Sequence, residues 1–530
     1  MSQPMTCGAA TIRLLEKYGI NTVFGIPGVH TLDFCRGLGE GVRHIQARNE
    51  QGAGFMAEGW ARATGEPGVA LVISGPGVTN ASTAIAQAYA DSLPVLLLSA
   101  EPASYTIGKG WGVLHEITEQ KKVTEPLTAF TATAHRAQDV PELLARAFTV
   151  FVSQRPRPVH ISIPIDVQSE IVDDEWQPVI PPKLPSASVD QVNIVTKLLK
   201  GARSPMIMVG GGAWQAGNEL TAIAEQTGAI VIASTAGKGI VADNHPLSLS
   251  ASTVRPEVLQ LLPEADVILA VGTELSETDS FVERMNLTGK LIRVDIDPTK
   301  INDFYPADIG IVADAKSVME QVHAALGSHN SDRREIAENK VHEVHAEIKA
   351  GLTPSERQHV AVLEALAMVA PDDLIWAGDA CQLVYTGAFA MPMHGPRRWF
   401  YPAGYCALGN ALPNAIGAKL ARPDSPVAVL AGDGGFMFTM PELVTAAELG
   451  LALPVIIWEN GGLKQIQDDM DGRQIARVGV EGVNPDFVML AKACHCHGVD
   501  THSLQEMQDV FQAAFKSDRP TVIVVHEQRG

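Results

Sequence analysis

Runs of Val, Ile, Leu and Ala, four to six residues long, punctuate the chain, and Ala/Leu-rich stretches of helical spacing fill the gaps. The clearest are 69–74, 95–99, 159–163, 206–209, 267–271, 291–296, 427–431, 455–458 and 521–525. Their apolar positions are consecutive rather than alternating, the mark of a strand covered on both faces. Such strands, each followed by a helix, assemble into parallel sheets with helices on either side. The predicted fold class is therefore α/β, with doubly wound parallel sheets.

Two seams interrupt the pattern. Residues 171–188 hold Pro178, Pro181, Pro182 and Pro185, a composition suited to an extended linker. Residues 327–354 open on Gly-Ser-His-Asn-Ser and continue as a charged helical stretch. Three domains follow, over 1–175, 188–328 and 355–530, each of ordinary size. The first and third share one strand–helix rhythm.

The longest apolar runs, 93–98 and 453–458, fall far short of the ~18 residues of a membrane span, and residues 1–19 lack the pattern of a secretory leader. Acidic residues outnumber basic ones 60 to 40, a net charge of −20. That balance argues against nucleic acid or an anionic membrane as partner. Six scattered cysteines form no disulfide framework, so the expected setting is the reducing cytoplasm. Cys494-His495-Cys496-His497 is too tightly spaced for a common zinc site and reads as packing beside a strand.

The most informative chemistry follows the 427–431 run, in Gly432-Asp433-Gly434-Gly435. A strand that ends in glycines just before a helix lets backbone N–H groups approach a phosphate closely. A helical stretch, 439–449, and a further strand lead to Glu459-Asn460-Gly461-Gly462. Asp433 and Asn460 thus offer hard oxygens at the ends of neighbouring strands, which suits Mg²⁺ or Ca²⁺ better than zinc. Ligands of open parallel sheets bind at that edge.

Gly432-Asp433-Gly434, with 24 residues before Glu459-Asn460, resembles the thiamine-diphosphate fingerprint of Gly-Asp-Gly followed by Asn-Asn, with Glu459 in place of the first Asn. The resemblance implies that Asp433, Asn460 and the Gly462 carbonyl hold a metal bridging the cofactor's diphosphate. Gly432, Gly434, Gly435 and Leu463 would line that site. Arg48-Asn49-Glu50-Gln51 and residues 54–62 resemble the N-terminal signature of the acetolactate synthase and 2-oxo acid decarboxylase superfamily. Gly25-Ile26-Pro27-Gly28 and Gly75-Pro76-Gly77 extend the likeness, which covers nearly the whole chain. Glu50 then falls on the activating glutamate, a carboxyl in a poorly solvated site that bonds the cofactor's pyrimidine nitrogen. Leu408 falls on the bulky residue that bends the cofactor, an orientation effect. The Cys406 carbonyl and Leu408 amide would contact the pyrimidine, and Cys381, Gln382 and Leu383 would reach the diphosphate through backbone groups. The three domains become pyrimidine-binding, central and diphosphate-binding. Active sites would lie between subunits of a homodimer or homotetramer.

His30 matches a loop histidine of benzaldehyde lyases, where acetolactate synthases have a small residue. His115 replaces the glutamine of the synthases' Phe-Gln-Glu motif. Imidazoles at these places could move protons during turnover. The likeness around residues 25–32 includes sequences of the 5-guanidino-2-oxopentanoate decarboxylase kind. Val29, His30 and Gln465 would then line a substrate pocket, with Asp468 and Asp469 receiving a guanidinium through charge-assisted contacts. An exposed charged helix surface is the plainer reading of the same acidic residues.

In the central block, Gly210-Gly211-Gly212 resembles a nucleotide-binding turn without the full glycine spacing. Residues 272–277 stand where FAD-binding synthases carry an Arg-Phe-Asp-Asp-type segment, so FAD is doubtful. The expected function is thiamine-diphosphate- and Mg²⁺-dependent decarboxylation of a small-molecule 2-oxo acid, releasing an aldehyde. The alternative is carboligation of the same group to a second carbonyl compound. More distant are a flavin oxidoreductase and an inactive paralogue.

Overall fold

All nine apolar runs fall on strands of the computed structural model, which describes residues 5–39 and 41–528. They build three parallel sheets. The first runs Arg43–Gln46, Thr22–Gly25, Gly68–Val72, Val95–Glu101, Val159–Pro164, Phe130–Thr133. The third runs Trp399–Phe400, Ile375–Gly378, Val427–Gly432, Pro454–Glu459, Thr521–His526, His497–Thr501. Numbered within each sheet, both orders read 2-1-3-4-6-5. The two are topological copies, and each reverses direction between its first and third strands. Connections leave those two strands towards opposite sides, which opens a crevice at their carboxyl ends.

The central sheet has five parallel strands, Ile230–Ala233, Pro205–Val209, Val267–Val271, Lys290–Asp295 and Ile309–Val312. Its order, 2-1-3-4-5, also has a switch point. The seam after the first sheet starts later than the proline pattern predicts. Ile171–Val172 pairs antiparallel with Met5–Thr6, and the extended chain begins beyond it. The charged seam forms the helix Arg334–Ala350.

The first and third sheets are joined through two helices, Glu50–Thr64 and Ala411–Ala421, that lie in direct contact. Glycine permits this at two reciprocal points. A Cβ on Gly59 would overlap the Asn414 backbone, and one on Gly417 would overlap the Met56 carbonyl. Around them one apolar cluster continues from Phe24, Met56 and Ala70 to Leu412, Val429 and Ile457. Cys494 and Cys496 are buried in that cluster.

Candidate active site

Strands Ile375–Gly378 and Val427–Gly432 flank the switch point of the third sheet, and their ends deliver Asp379 and Asp433. Asp433 is fully buried. Its Oδ2 accepts the N–H groups of Asn460, Gly461 and Gly462 at 3.3, 2.8 and 3.0 Å, and the Asn484 carboxamide at 2.8 Å. Oδ1 accepts only the Gly434 N–H among the described residues, at 2.7 Å, and keeps a lone pair for a cation. Asn460 arrives alongside because Gly432 pairs with Trp458 on the neighbouring strand. The turn after it depends on glycine. Gly461 and Gly462 have φ of +89° and +113°, and a Cβ on Gly462 would press on the Val480 carbonyl. The Gly462 carbonyl accepts the Lys464 N–H at 2.9 Å and retains its second lone pair. Leu463 donates its own N–H to Val480, at 3.1 Å.

The loop from the other side of the switch point touches this turn. A Cβ on Gly432 would meet the Cys381 side chain at 2.9 Å, and one on Gly435 would meet Asp379 at 3.0 Å. Asp379 accepts the N–H groups of Ala380 and Gly409, and burial pushes its carboxyl up to about 6. It thereby ties the diphosphate loop to residues 404–409. Gln382 opens a helix, Gln382–Ala390, that presents its first N–H groups here, with Leu383 fully buried behind them. Burial pushes the Cys381 thiol up to about 12, so it offers no thiolate. Cys406 sits at φ +55°, a conformation that non-glycine residues rarely adopt, and Leu408 beside it is half-buried.

In the first domain, Asn49 caps the helix Glu50–Thr64 by accepting the Gln51 N–H at 2.8 Å. Glu50 is its first residue, is buried, and accepts the Asn80 carboxamide at 2.9 Å. Arg48 does not neutralise it. That guanidinium pairs with Glu448, while the Arg48 and Asn49 N–H groups go to Glu442. At this sheet's own switch point, His30 Nδ1 lies 2.6 Å from Ser74 Oγ, and the His30 and His115 rings stand 5.3 Å apart. His115 has φ +63°, and Gly75 leaves the room its carbonyl needs. Burial first, then the charge of His115, holds His30 below the ordinary imidazole range. Val29, beside His30, is exposed.

The expected residues thus gather in two places. Cys381, Gln382, Leu383, Cys406, Leu408, residues 432–435 and 460–463 meet at the third sheet, and Glu50, His30 and His115 belong to the first. The acidic stretch is largely self-paired. Asp468 holds Lys464 and accepts Gln382 Nε2, and Asp471 holds Arg477. Asp469 accepts Gln465 at 3.4 Å and has no ion pair among the described residues. In the central domain the two turns that follow the switch-point strands bond to each other. Gly210 donates to Val271, Gly212 donates to Gly272, and a Cβ on Gly210 would overlap the Gly272 carbonyl. Sequence reasoning missed Asn484, Asn80 and Ser74. Ser74 and Asn80 flank the Gly75-Pro76-Gly77 motif, which pointed to their segment but not to them, and Asn484 lies in a segment without motif spacing.

A buried carboxylate with a free lone pair, set between glycine turns at a parallel-sheet switch point, suits an enzyme that holds a diphosphate through a divalent cation. The chain belongs to the thiamine pyrophosphate enzymes. Their N-terminal thiamine pyrophosphate-binding domain matches residues 5–123, their central domain 192–322, and their C-terminal thiamine pyrophosphate-binding domain 379–525. It is 46% identical to the probable 2-ketoarginine decarboxylase AruI of Pseudomonas aeruginosa, over 98% of this chain and 93% of that one. The acetolactate synthase large subunit of Corynebacterium glutamicum is 31% identical, over 98% and 86%. The isozyme 3 large subunit of Escherichia coli K12 is also 31% identical, over 97% and 92%.

The family's cofactors, thiamine diphosphate and a metal of the Mg²⁺ kind, fit the residues present. Asp433 Oδ1, the carboxamide of Asn460 and the Gly462 carbonyl would give an all-oxygen donor set for such an ion. The Gly210–Gly212 turn lacks the full dinucleotide glycine spacing, so no step is assigned to FAD.

Proposed function

We propose that the protein decarboxylates a 2-oxo acid to an aldehyde and CO₂. The carrying observation is the pair His30 and His115, beside Ser74, at the carboxyl edge of the first sheet. When bound, the cofactor supplies a nucleophilic carbon and an electron sink for the pair left by departing CO₂. The chain's own residues do the rest. Glu50 would share a proton with the pyrimidine ring, and Leu408 would orient the cofactor for reaction. Asp433 and Asn460 fix the diphosphate end. Where Ser74 donates its O–H to His30 Nδ1, Nε2 carries a hydrogen that would be available to the carbon losing CO₂, the proton being restored through Ser74 or water so that the ring stays neutral. Proton uptake there, with loss of the hydroxyl proton as the bond to the cofactor breaks, would release an aldehyde, whereas a site without such a donor would leave that carbon to attack a second carbonyl compound.

The substrate proposed is 5-guanidino-2-oxopentanoate, also called 2-ketoarginine. The similarity to AruI over almost the full chain supports it, as does the exposed Asp469. We place each active site between two copies of the chain. Glu50 is held by Asn80 of its own domain, the four donors to Asp433 Oδ2 all come from the third domain, and no hydrogen bond joins the two carboxylates among the described residues. Large apolar side chains lie exposed on both domains, including Trp111, Leu114, Met437 and Phe438.

The test is the purified protein with thiamine diphosphate and Mg²⁺, given pyruvate, 5-guanidino-2-oxopentanoate and other 2-oxo acids. CO₂, aldehyde and acyloin are measured separately. Aldehyde matching CO₂, greatest with the guanidino acid, is expected. Acyloin in place of aldehyde would establish carboligation instead, and turnover of none of them would overturn both.

A further inference from the structure

Glu459, the departure from the usual Asn-Asn pair, has a partner on its far side. His526 Nδ1 lies 2.8 Å from Glu459 Oε2, and His526 Nε2 lies 2.5 Å from Asp500 Oδ1. The His502 ring is parallel to that of His526, 6° from coplanar, with centroids 6.3 Å apart. The parallel register produces this row. Glu459 pairs with His526 across one strand junction, and Thr501 pairs with Val525 across the next, so His502 follows beside His526. Asp500 and His502 are two residues apart at the end of one strand and share a face. Ligand atoms of Asp500, His502 and His526 lie within 4.8 Å of one another, and all three side chains are exposed to entering ions.

We propose that Asp500, His502 and His526 form a second metal site, for a transition-metal cation of the zinc class. Two imidazoles and one carboxylate are the donor set such ions take, usually with water completing the coordination, whereas Mg²⁺ prefers oxygen alone. Glu459 supports this assignment independently. A carboxylate that takes the Nδ1–H of an imidazole fixes its tautomer and leaves Nε2 free to bind metal. The same Glu459 accepts Asn484 Nδ2 at 3.1 Å, and that carboxamide also bonds Asp433. The proposed site and the cofactor's metal site therefore share one chain of contacts along the sheet edge, and the glutamate at 459 has a role that asparagine could not fill. Zinc entering the site displaces the hydrogen between His526 Nε2 and Asp500 Oδ1, which leaves as a solvent proton.

Zinc binding is to be measured on untagged holoenzyme, saturated with thiamine diphosphate and a large excess of Mg²⁺, by competition with a coloured chelator. One Zn²⁺ per chain is expected. His502→Ala and Asp500→Asn should each weaken it, and Glu459→Gln should weaken it by about 10- to 100-fold, the usual effect of losing a carboxylate behind a ligating histidine. His502 and Asp500 are exposed and Glu459 is half-buried at a strand end, so circular dichroism should remain that of the parent. No zinc uptake against Mg²⁺, or unchanged uptake in both His502→Ala and Asp500→Asn, would overturn the site.

Discussion

Glu50 and His30 show how much a single side chain owes to what it touches. Glu50 is buried with one neutral hydrogen-bond partner, Asn80, while the nearest guanidinium is turned away to Glu448. Glu50→Gln keeps the shape and one acceptor oxygen but cannot share a proton as a carboxyl does. Turnover should fall by about 10²- to 10⁴-fold, the range of a lost acid–base group, with thiamine diphosphate still binding in a fluorescence titration. His30 yields a pH prediction. Its depressed pKa keeps the ring neutral below the ordinary value of about 6.5. His115→Ala removes the charge that helps depress it, so the acid limb of kcat/KM that belongs to His30 should move to higher pH. A limb that stays in place, or moves lower, would refute the coupling. Asp433 and Asn460 were legible as residues because a motif spacing names them. Asn484 was not, since it reaches Asp433 from 51 positions away.

The helices Glu50–Thr64 and Pro76–Ala90 carry a buried polar network that nothing in their spacing announces. Arg62 pairs with both Glu58 and Asp91, and burial pushes Glu58 up to about 7 despite that guanidinium. Asp91 Oδ1 then accepts the Gly404 N–H at 2.8 Å, and Gln87 Oε1 accepts the Ala407 N–H at 3.0 Å. Both acceptors clamp the loop that presents Cys406 and Leu408, across the boundary between the first and third domains. Asp91→Ala should therefore weaken thiamine diphosphate binding by about tenfold or more, the scale of one hydrogen bond to a charged group. Unaltered cofactor affinity would show that the loop holds its shape without the clamp. The helices themselves were readable from their Ala-rich spacing. Their mutual contact was not, because small residues permit close approach without saying to what.

Across the whole molecule, the duplication of one strand order in the first and third sheets puts two switch-point crevices on one chain. The first carries the two histidines, and the third carries Asp433 and Asn460, proposed to hold the cofactor's metal. Sites shared between chains make a strict prediction. Glu50→Gln and Asp433→Asn proteins, each inactive alone, should regain about a quarter of parental activity after subunit exchange in equal amounts, since half the dimers are hybrids with one intact site. A site contained in one chain would regain none.

Composition and consecutive apolar runs were enough for the α/β class and its three sheets, because burial on both faces leaves a local imprint on each strand. The Gly-Asp-Gly turn and the glutamate of the first domain were equally local, so the resemblance could single them out from short motifs. Strand order, the bonding of the Gly210–Gly212 turn to Gly272, the self-pairing of Asp468 and Asp471, and the row from Asp433 through Glu459 to His526 and His502 emerged only on folding. Each depends on which distant strand lies beside which, a choice made by global packing rather than by any neighbouring residue.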